Sequence, residues 1–311
     1  IKAFDEEGKG RYLDVIRAID WVVTNKDKHQ IRVLNLSFSA PPNSLYWDDP
    51  LNQAVMQAWY SGIVVIASAG NTGPEDMSIG VPGNVPYIIT VGATDDNKTA
   101  DVLDDDKLAT FSSTGPTLEG FVKPDVVAPG SRILGRMKKK TQIGKQHRNN
   151  FYLKNYFVMS GTSQATAVVS GVAALLLQAD PSLSPTEVKC RIQAHSRPAL
   201  TDDGMLAYSI FQQGAGVVDA YSAIYGRTPN CHSNMDIALD IADVQHYAGP
   251  ARKSPDGNYY IEGTDDYRWK RNPASQSGYM WKDGYMWKDG YMWKDGYMWK
   301  DGYMWKDGYM W

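Results

Sequence analysis

The feature that most constrains this chain is the run Ile63-Val64-Val65-Ile66, four aliphatic residues without a polar break. A strand that alternates can leave one face in water, whereas one that does not must be covered on both. Parallel sheets flanked by helices meet that condition. The neighbouring segments agree. Leu51 to Tyr60 suits a helix closed by Gly62, and Ile31 to Phe38 reads as a strand rich in β-branched and aliphatic residues. Tyr12 to Val23 places Leu13, Ile16, Ile19 and Val23 at helical spacing, after the turn Glu7-Gly8-Lys9-Gly10. Tyr87 to Val91 is a further short strand. Ser163 to Gln178 carries Val168, Val169, Val172, Leu175 and Leu176 and is apolar nearly all round, as a buried helix is. Strands alternating with helices predict an α/β fold with a mostly parallel central sheet.

Composition excludes more than it assigns. The net charge of -3 lacks the basic excess of a nucleic-acid binder. No run of about 18 apolar residues occurs, so no membrane-spanning segment is expected. Cys190 and Cys231 can form one bridge at most, and the sequence leaves a bridge and two buried thiols equally open. The chain begins at Ile1 and stops inside a repeat, so both ends read as truncated and the lack of a signal peptide carries no weight.

Three regions are expected: residues 1–226 as the main domain, 227–277 as a polar extension or linker, and 278–311 as a repeat tail. The tail repeats Gly-Tyr-Met-Trp-Lys-Asp in five full copies and ends on Gly-Tyr-Met-Trp. In an extended copy Tyr279 and Trp281 share one face and Met280 takes the other, while Lys282-Asp283-Gly284 is a turn signal. Stacked aromatic ladders are one reading and an unstructured repeat expansion the other. The aromatic density points to binding of a surface, a carbohydrate or a second copy of the chain.

Chemistry concentrates in three segments. Ser160-Gly161-Thr162-Ser163-Gln164-Ala165-Thr166 opens the apolar helix. A serine there sits in the positive field of the helix N-terminus, which suits an oxygen that must act as a nucleophile. Alone, a hydroxyl residue before a helix is an ordinary N-cap. Ala67-Ser68-Ala69-Gly70-Asn71 leaves the Ile63 strand, and an amide at such an exit can donate an N–H to a developing oxyanion. Alone, Asn71 is an ordinary turn residue. Lys123-Pro124-Asp125-Val126-Val127-Ala128-Pro129-Gly130 reads as a turn and strand.

Together these segments resemble the subtilisin family of serine proteases. The resemblance also runs through Asn35-Leu36-Ser37-Phe38, Pro82-Gly83-Asn84-Val85-Pro86-Tyr87, Phe111-Ser112-Ser113-Thr114-Gly115-Pro116 and Gly214-Ala215-Gly216-Val217-Val218-Asp219. It covers residues 1 to about 225 in the family's order. It implies a three-layer α/β fold, incomplete at the N-terminus, and hydrolysis of polypeptides with Ser163 as nucleophile and Asn71 in the oxyanion hole. It further implies that Ser37, Phe38 and Ser39 pair with substrate backbone, that Ala67, Ser68, Ala69 and Gly70 form the opposite wall, and that Pro82 follows a cis bond.

Departures matter. Ser39 and Ala40 stand where the family commonly has glycines, which narrows the pocket wall, and Ala167 replaces the usual proline. Ser131 to Met159 is longer than in compact members, and its Arg136-Met137-Lys138-Lys139-Lys140 run reads as a solvated loop. The family's aspartate and histidine segments precede the helix at Tyr12 and have no counterpart here. His29, His147, His195, His232 and His246 lack the glycine-flanked setting of a catalytic histidine, and the resemblance makes Asp125 structural. The 311 residues alone are therefore expected to be inactive. The alternative is a non-catalytic relative that acts through its tail. No metal ligand set stands out, so no cofactor is assigned, and calcium and secretion enter through the resemblance alone.

Overall fold

A computed structural model describes residues 1–5, 10–99, 105–201, 206–226, 231 and 233–261. The turn at Glu7 and the repeat tail 278–311 lie outside the described residues. In chain order the main elements are α1 (Tyr12–His29), β1 (Val33–Leu36), α2 (Pro50–Tyr60), β2 (Val64–Ser68), β3 (Ile89–Asp95), β4 (Lys107–Leu108) and β5 (Val126–Pro129). There follow β6 (Ile133–Arg136), α3 (Gln142–Gln146), β7 (Phe151–Tyr152), β8 (Tyr156–Met159), α4 (Thr162–Ala179) and α5 (Pro185–Ala194). The last are α6 (Ile210–Gln213), α7 (Ala220–Tyr225), α8 (Ile237–Ile241), β9 (Ala251–Lys253) and β10 (Tyr259–Ile261).

β1, β2, β3 and β5 pair in parallel, and β4 adds an antiparallel extension to the end of β3. Every residue of β2 is buried, as its unbroken apolar run requires. α4 packs across β1, β2, β3 and β5, with α5 and α7 against it, while α1 and α2 pack on each other and α2 meets β2. By length and a mean hydropathy of 1.3, α4 alone among the described residues could cross a membrane; it lies instead against the sheet. Asp49 caps α2, its carboxylate accepting from the Leu51 and Asn52 backbone N–H groups, and Pro50 starts the helix at a position that needs no donor. Ser184 and Glu187 form a reciprocal capping box on α5. The Ser131 to Met159 stretch is an antiparallel sheet in the order β6-β8-β7, so Arg136 ends a strand rather than lying in a loop. Cys190 on α5 is bonded to Cys231, closing the choice left open by the sequence.

Two polar clusters hold elements together. The first lies where β3 and β5 begin. Asp125, buried just before β5, accepts from Lys123 Nζ at 2.6 Å, from Gln193 Nε2 at 3.1 Å and from the Thr90 backbone N–H at 2.7 Å. Lys189 Nζ lies 3.0 Å from its other oxygen. Two buried lysines thus face one carboxylate. Burial, only partly opposed by Asp125, pushes the Lys123 amine down to about 7, which relieves the excess positive charge.

The second cluster fastens residues 233–261 to the domain. Asp240 on α8 has no solvent exposure and accepts from Tyr46 Oη at 2.5 Å, Tyr87 Oη at 2.7 Å and His246 Nδ1 at 2.8 Å. Burial above all holds the Tyr46 and Tyr87 hydroxyls well above the ordinary phenol range, so both remain donors. His246 Nε2 lies 2.9 Å from Asp243, and the ring stacks on Trp47 with centroids 4.8 Å apart. An imidazole between two carboxylates donates from both nitrogens only as the cation. Burial opposes that charge, but the bonds and charges of Asp240 and Asp243 outweigh it and raise the pKa. The segment also bonds along the Glu119-Gly120 turn, Gly249 N–H to Glu119 O at 2.7 Å and Ala251 N–H to Gly120 O at 3.0 Å.

Two outcomes follow for stability. Asp125→Ala leaves two buried ammonium groups without their carboxylate and is expected to cost about 3–5 kcal/mol in urea denaturation. The raised His246 pKa means its contribution is complete below the ordinary histidine value of 6.5 and is lost as pH rises through the folded value. The stability difference between the wild-type chain and His246→Ala should therefore be largest near pH 6 and shrink toward pH 9, measured by thermal unfolding at each pH.

Candidate active site

Ser163 is the second residue of α4, directly after the buried Thr162. Its hydroxyl donates to the Ser37 carbonyl oxygen at 3.1 Å, and the Ser37 hydroxyl donates back to the Ser163 carbonyl oxygen at 3.1 Å. Ser37 follows the end of β1 and is itself held. Asn35 Nδ2 donates to Ser37 Oγ at 2.7 Å, and the Ser170 hydroxyl bonds Asn35 Oδ1 at 2.9 Å. The end of β1 is thus fastened to the first three turns of α4 at three points.

Asn71 follows the exit of β2. Its Oδ1 accepts from the Thr162 backbone N–H at 2.8 Å and from the Thr162 hydroxyl at 3.0 Å. With the carbonyl side of the amide committed, Nδ2 points away from Thr162 with its N–H bonds available. Gly70 N–H donates to the same Thr162 hydroxyl at 3.3 Å. The Ser163 N–H lies in the first helical turn, where no intrahelical acceptor exists. The Asn71 amide and the Ser163 hydroxyl are thus both held at the start of α4.

The flanking edges are also tied. Ser68 Oγ donates to the Phe38 carbonyl oxygen at 2.9 Å, Gly80 N–H to Ala69 O at 3.0 Å, and Ala40 and Val81 exchange backbone bonds of 3.1 and 2.8 Å. Segment 37–40, segment 68–70 and Gly80-Val81 are thus bonded into one edge. Ala67 is buried within β2, paired between Leu36 and Thr90, and Ser68 is spent on Phe38. Phe38 turns toward Phe4, with ring centroids 5.4 Å apart. The Val81–Pro82 bond is cis, as the resemblance implies.

The described histidines lie elsewhere. His29 stacks on Trp21, His147 ends α3, His195 ends α5, and His246 belongs to the cluster under Trp47. His232 lies outside the described residues. Asp125 is enclosed by Lys123, Lys189 and Gln193. Among the described residues no group of three or more His, Cys, Asp or Glu is placed to hold a metal ion. Three positioning residues escaped notice in the sequence: Thr162, Asn35 and Ser170. The only signal for Thr162 was a second hydroxyl beside Ser163.

Residues 1–216 match the subtilase family, peptidase S8. The chain belongs to that family. It is 39% identical over 232 residues to the serine protease AprX of Bacillus subtilis, covering 73% of this chain and 51% of that one. It is 34% identical over 196 residues to subtilisin DY of Bacillus licheniformis, covering 62% and 58%. The chain thus spans little more than half the length of these relatives. Among solved structures, sphericase superposes with a TM-score of 0.55 at 25% identity, covering 70% of this chain and 66% of that one. The subtilisin-like assignment and the α/β fold with a parallel sheet stand on these matches. The strap 233–261 lies beyond the family match.

Thr162→Val keeps the shape but removes the hydroxyl shared by Asn71 and Gly70. The chain should lose about 1 kcal/mol of stability. The Asn71 side-chain amide, held then by one bond, should exchange its protons with water faster in NMR spectra.

Proposed function

We propose that this chain carries the nucleophile and oxyanion hole of a serine endopeptidase acting on polypeptides. The observation that supports it best is the Asn71 amide, turned by Thr162 so that Nδ2 is free beside Ser163. In this reading Ser163 Oγ attacks the acyl carbon of an extended peptide laid along Ser37, Phe38 and Ser39. The carbonyl oxygen becomes an oxyanion and receives Asn71 Nδ2–H and Ser163 N–H, with the α4 N-terminus adding a favourable field. Ala69 and Gly70 face the peptide from the other side.

The Ser163 proton needs a base, and the hydroxyl is bonded to the Ser37 carbonyl oxygen, which cannot take it. We therefore read these 311 residues by themselves as inert in hydrolysis. In subtilisin, a member of the same family, loss of the histidine lowers kcat by about 10⁶-fold. The Cys190–Cys231 bond supports an oxidising, extracellular setting, since such bonds are rare in the cytosol.

The test is hydrolysis of a fluorogenic peptide by the longest natural gene product containing this chain. Turnover is expected to vanish in Ser163→Ala and to fall about 10²–10³-fold in Asn71→Ala, the loss known for the equivalent residue of subtilisin. Turnover that survives Ser163→Ala would overturn the reading. Ser163-dependent turnover by the 311 residues alone would overturn their inertness.

A further inference from the structure

The segment between β5 and α4 carries charge of one sign only. From Val126 to Ala179 the chain has eight Lys and Arg residues and no Asp or Glu, and all eight belong to the stretch from Arg132 to Lys154. With those eight positive charges set aside, the net charge of -3 becomes -11 for the rest of the chain. Arg132 is spent at the root of the β6-β8-β7 sheet, where its guanidinium holds the Asp95 carboxylate and its N–H donates to Ser160 Oγ at 2.8 Å. Among the described residues no carboxylate pairs with the other seven. Arg136, the Lys138-Lys139-Lys140 run, Lys145, Arg148 and Lys154 are all exposed.

The sheet has two unlike faces. Cross-strand partners share a face, and successive residues alternate between faces. Gly135, Phe157 and Phe151 are partners in one row, with Phe157 buried and its ring edge-on to Phe151 at 4.9 Å. Gly144 of α3 lies against Phe151, where a Cβ would meet the ring at 3.1 Å, and Lys139 Nζ stands 5.6 Å from the ring centre. That face is covered. The other carries Arg136, Tyr156 and Tyr152 in one row and Leu134 beside Val158 in the next. Leu134, Tyr152 and Tyr156 keep 48%, 58% and 43% of their surface in solvent. Met137 N–H donates to Asn155 O at 2.9 Å, so the lysine run leaves the sheet beside the turn that bears Lys154. An exposed aliphatic and aromatic face, crossed by one arginine and rimmed by charge, has the composition of an interface.

Charge complementarity names the occupant. A polypeptide rich in Asp and Glu is repelled by a body of net charge -11 and drawn to this arm. Exposed ion pairs are weak singly, so the apolar row must supply part of the hold, and a peptide offers carboxylates and apolar side chains together. β8 ends at Met159, and Ser160, Gly161 and Thr162 lead from it directly to Ser163. We propose that the face of Leu134, Arg136, Tyr152 and Tyr156, with its lysine rim, docks an acidic stretch of the polypeptide whose neighbouring segment reaches Ser163. The choice of a polypeptide rests on the peptidase reading. The arm then selects proteins by an acidic tract outside the bond that is cut.

The test is binding to the 311-residue chain, read by fluorescence anisotropy. The probe is a short labelled peptide of glutamates interspersed with leucine and tyrosine, and its control has glutamine for every glutamate. The acidic peptide is expected to bind at least about tenfold more tightly, and the advantage should fall severalfold between about 0.05 M and about 0.3 M salt. Lys138→Gln/Lys139→Gln/Lys140→Gln should weaken it roughly tenfold, and Tyr152→Ser/Tyr156→Ser roughly threefold with the salt dependence kept. These residues are exposed, so thermal unfolding should stay as in the unaltered chain. Lys26→Gln/Lys28→Gln on α1, a control for diffuse attraction, should change binding by less than about twofold. Equal binding of the two peptides overturns the inference, as does an affinity that either arm variant leaves unchanged. So does tighter binding of phosphatidylglycerol vesicles or of oligothymidylate, which would assign the arm to a membrane or to nucleic acid. No step of this measurement uses the Ser163 hydroxyl. Turnover that survives Ser163→Ala therefore removes the peptidase reading while the docking surface stands, and Ser163-dependent turnover with no binding at the arm removes the docking surface alone.

Discussion

Burial of α4 against the parallel sheet is the constraint on which the rest depends. Ala165, Val169, Val172, Ala173 and Leu176 all point inward, and the helix crosses four strands. Packing at that density does not tolerate sliding, because each methylene displaced leaves a void or a clash. The helix N-terminus is thereby fixed beyond the carboxyl ends of β1 and β2. In open α/β sheets this is where ligands bind, since the loops leaving the strands meet the helix starts there. Ser37, Asn71 and Ser163 are neighbours for that reason alone, although they are spread widely through the chain.

Packing brings these residues together, but it does not aim them. Hydrogen bonds do that. Thr162 takes the Asn71 carbonyl with two donors, and an amide has only one way round once its oxygen is committed. The alternative rotamer would leave the Thr162 N–H facing an N–H. An oxyanion hole is effective when its donors are in place before charge develops, which is why the proposed role of Asn71 rests on this fixed amide. Ser163 is in a different state. Its hydroxyl rests on the Ser37 carbonyl oxygen, an acceptor that satisfies it without activating it. The Asn71 amide is thus fixed by Thr162, while the Ser163 hydroxyl is held by a backbone carbonyl.

The sequence was informative where one residue type dominates a segment. The Ile63 run, the helix from Ser163 and the helix to Tyr60 are found within a few residues of their expected bounds, because burial on all sides leaves a pattern that local reading detects. The strand at Ile31 proved shorter, Val33–Leu36, since its end leaves the sheet to form the edge at Ser37. Contacts made between distant residues left no such pattern. That Ser39 Oγ lies against Gly80 is set by the fold alone. The polar stretch after Gly226 offered no periodicity. Asp240 and His246 are polar by composition, yet the fold places them against Tyr46, Tyr87 and Trp47. A buried carboxylate that satisfies two tyrosines and a histidine is invisible to any reading that counts apolar residues.

The charged cluster at Asp125 lies where β3 and β5 begin, and its position explains its odd stoichiometry. Residues 86–88 lead into β3 with carbonyl groups that no strand has yet paired. Lys189 Nζ bonds the Pro86, Tyr87 and Ile88 oxygens, and Lys123 Nζ also bonds Ile88. The lysines therefore serve as donors to the backbone: Lys189 Nζ reaches all three oxygens and the carboxylate, and an ammonium with three N–H bonds is helped by Lys123, which donates to Ile88 O and to Asp125. Asp125 then supplies the countercharge and, through the Thr90 N–H, fixes β5 beside β3. Replacing one lysine by an apolar residue would correct the charge but strand buried carbonyls, which carries its own penalty. Two ammonium groups on one carboxylate, with one amine pushed toward neutrality, is the arrangement that leaves the fewest groups unpaired. It keeps the starts of β3 and β5 fixed side by side.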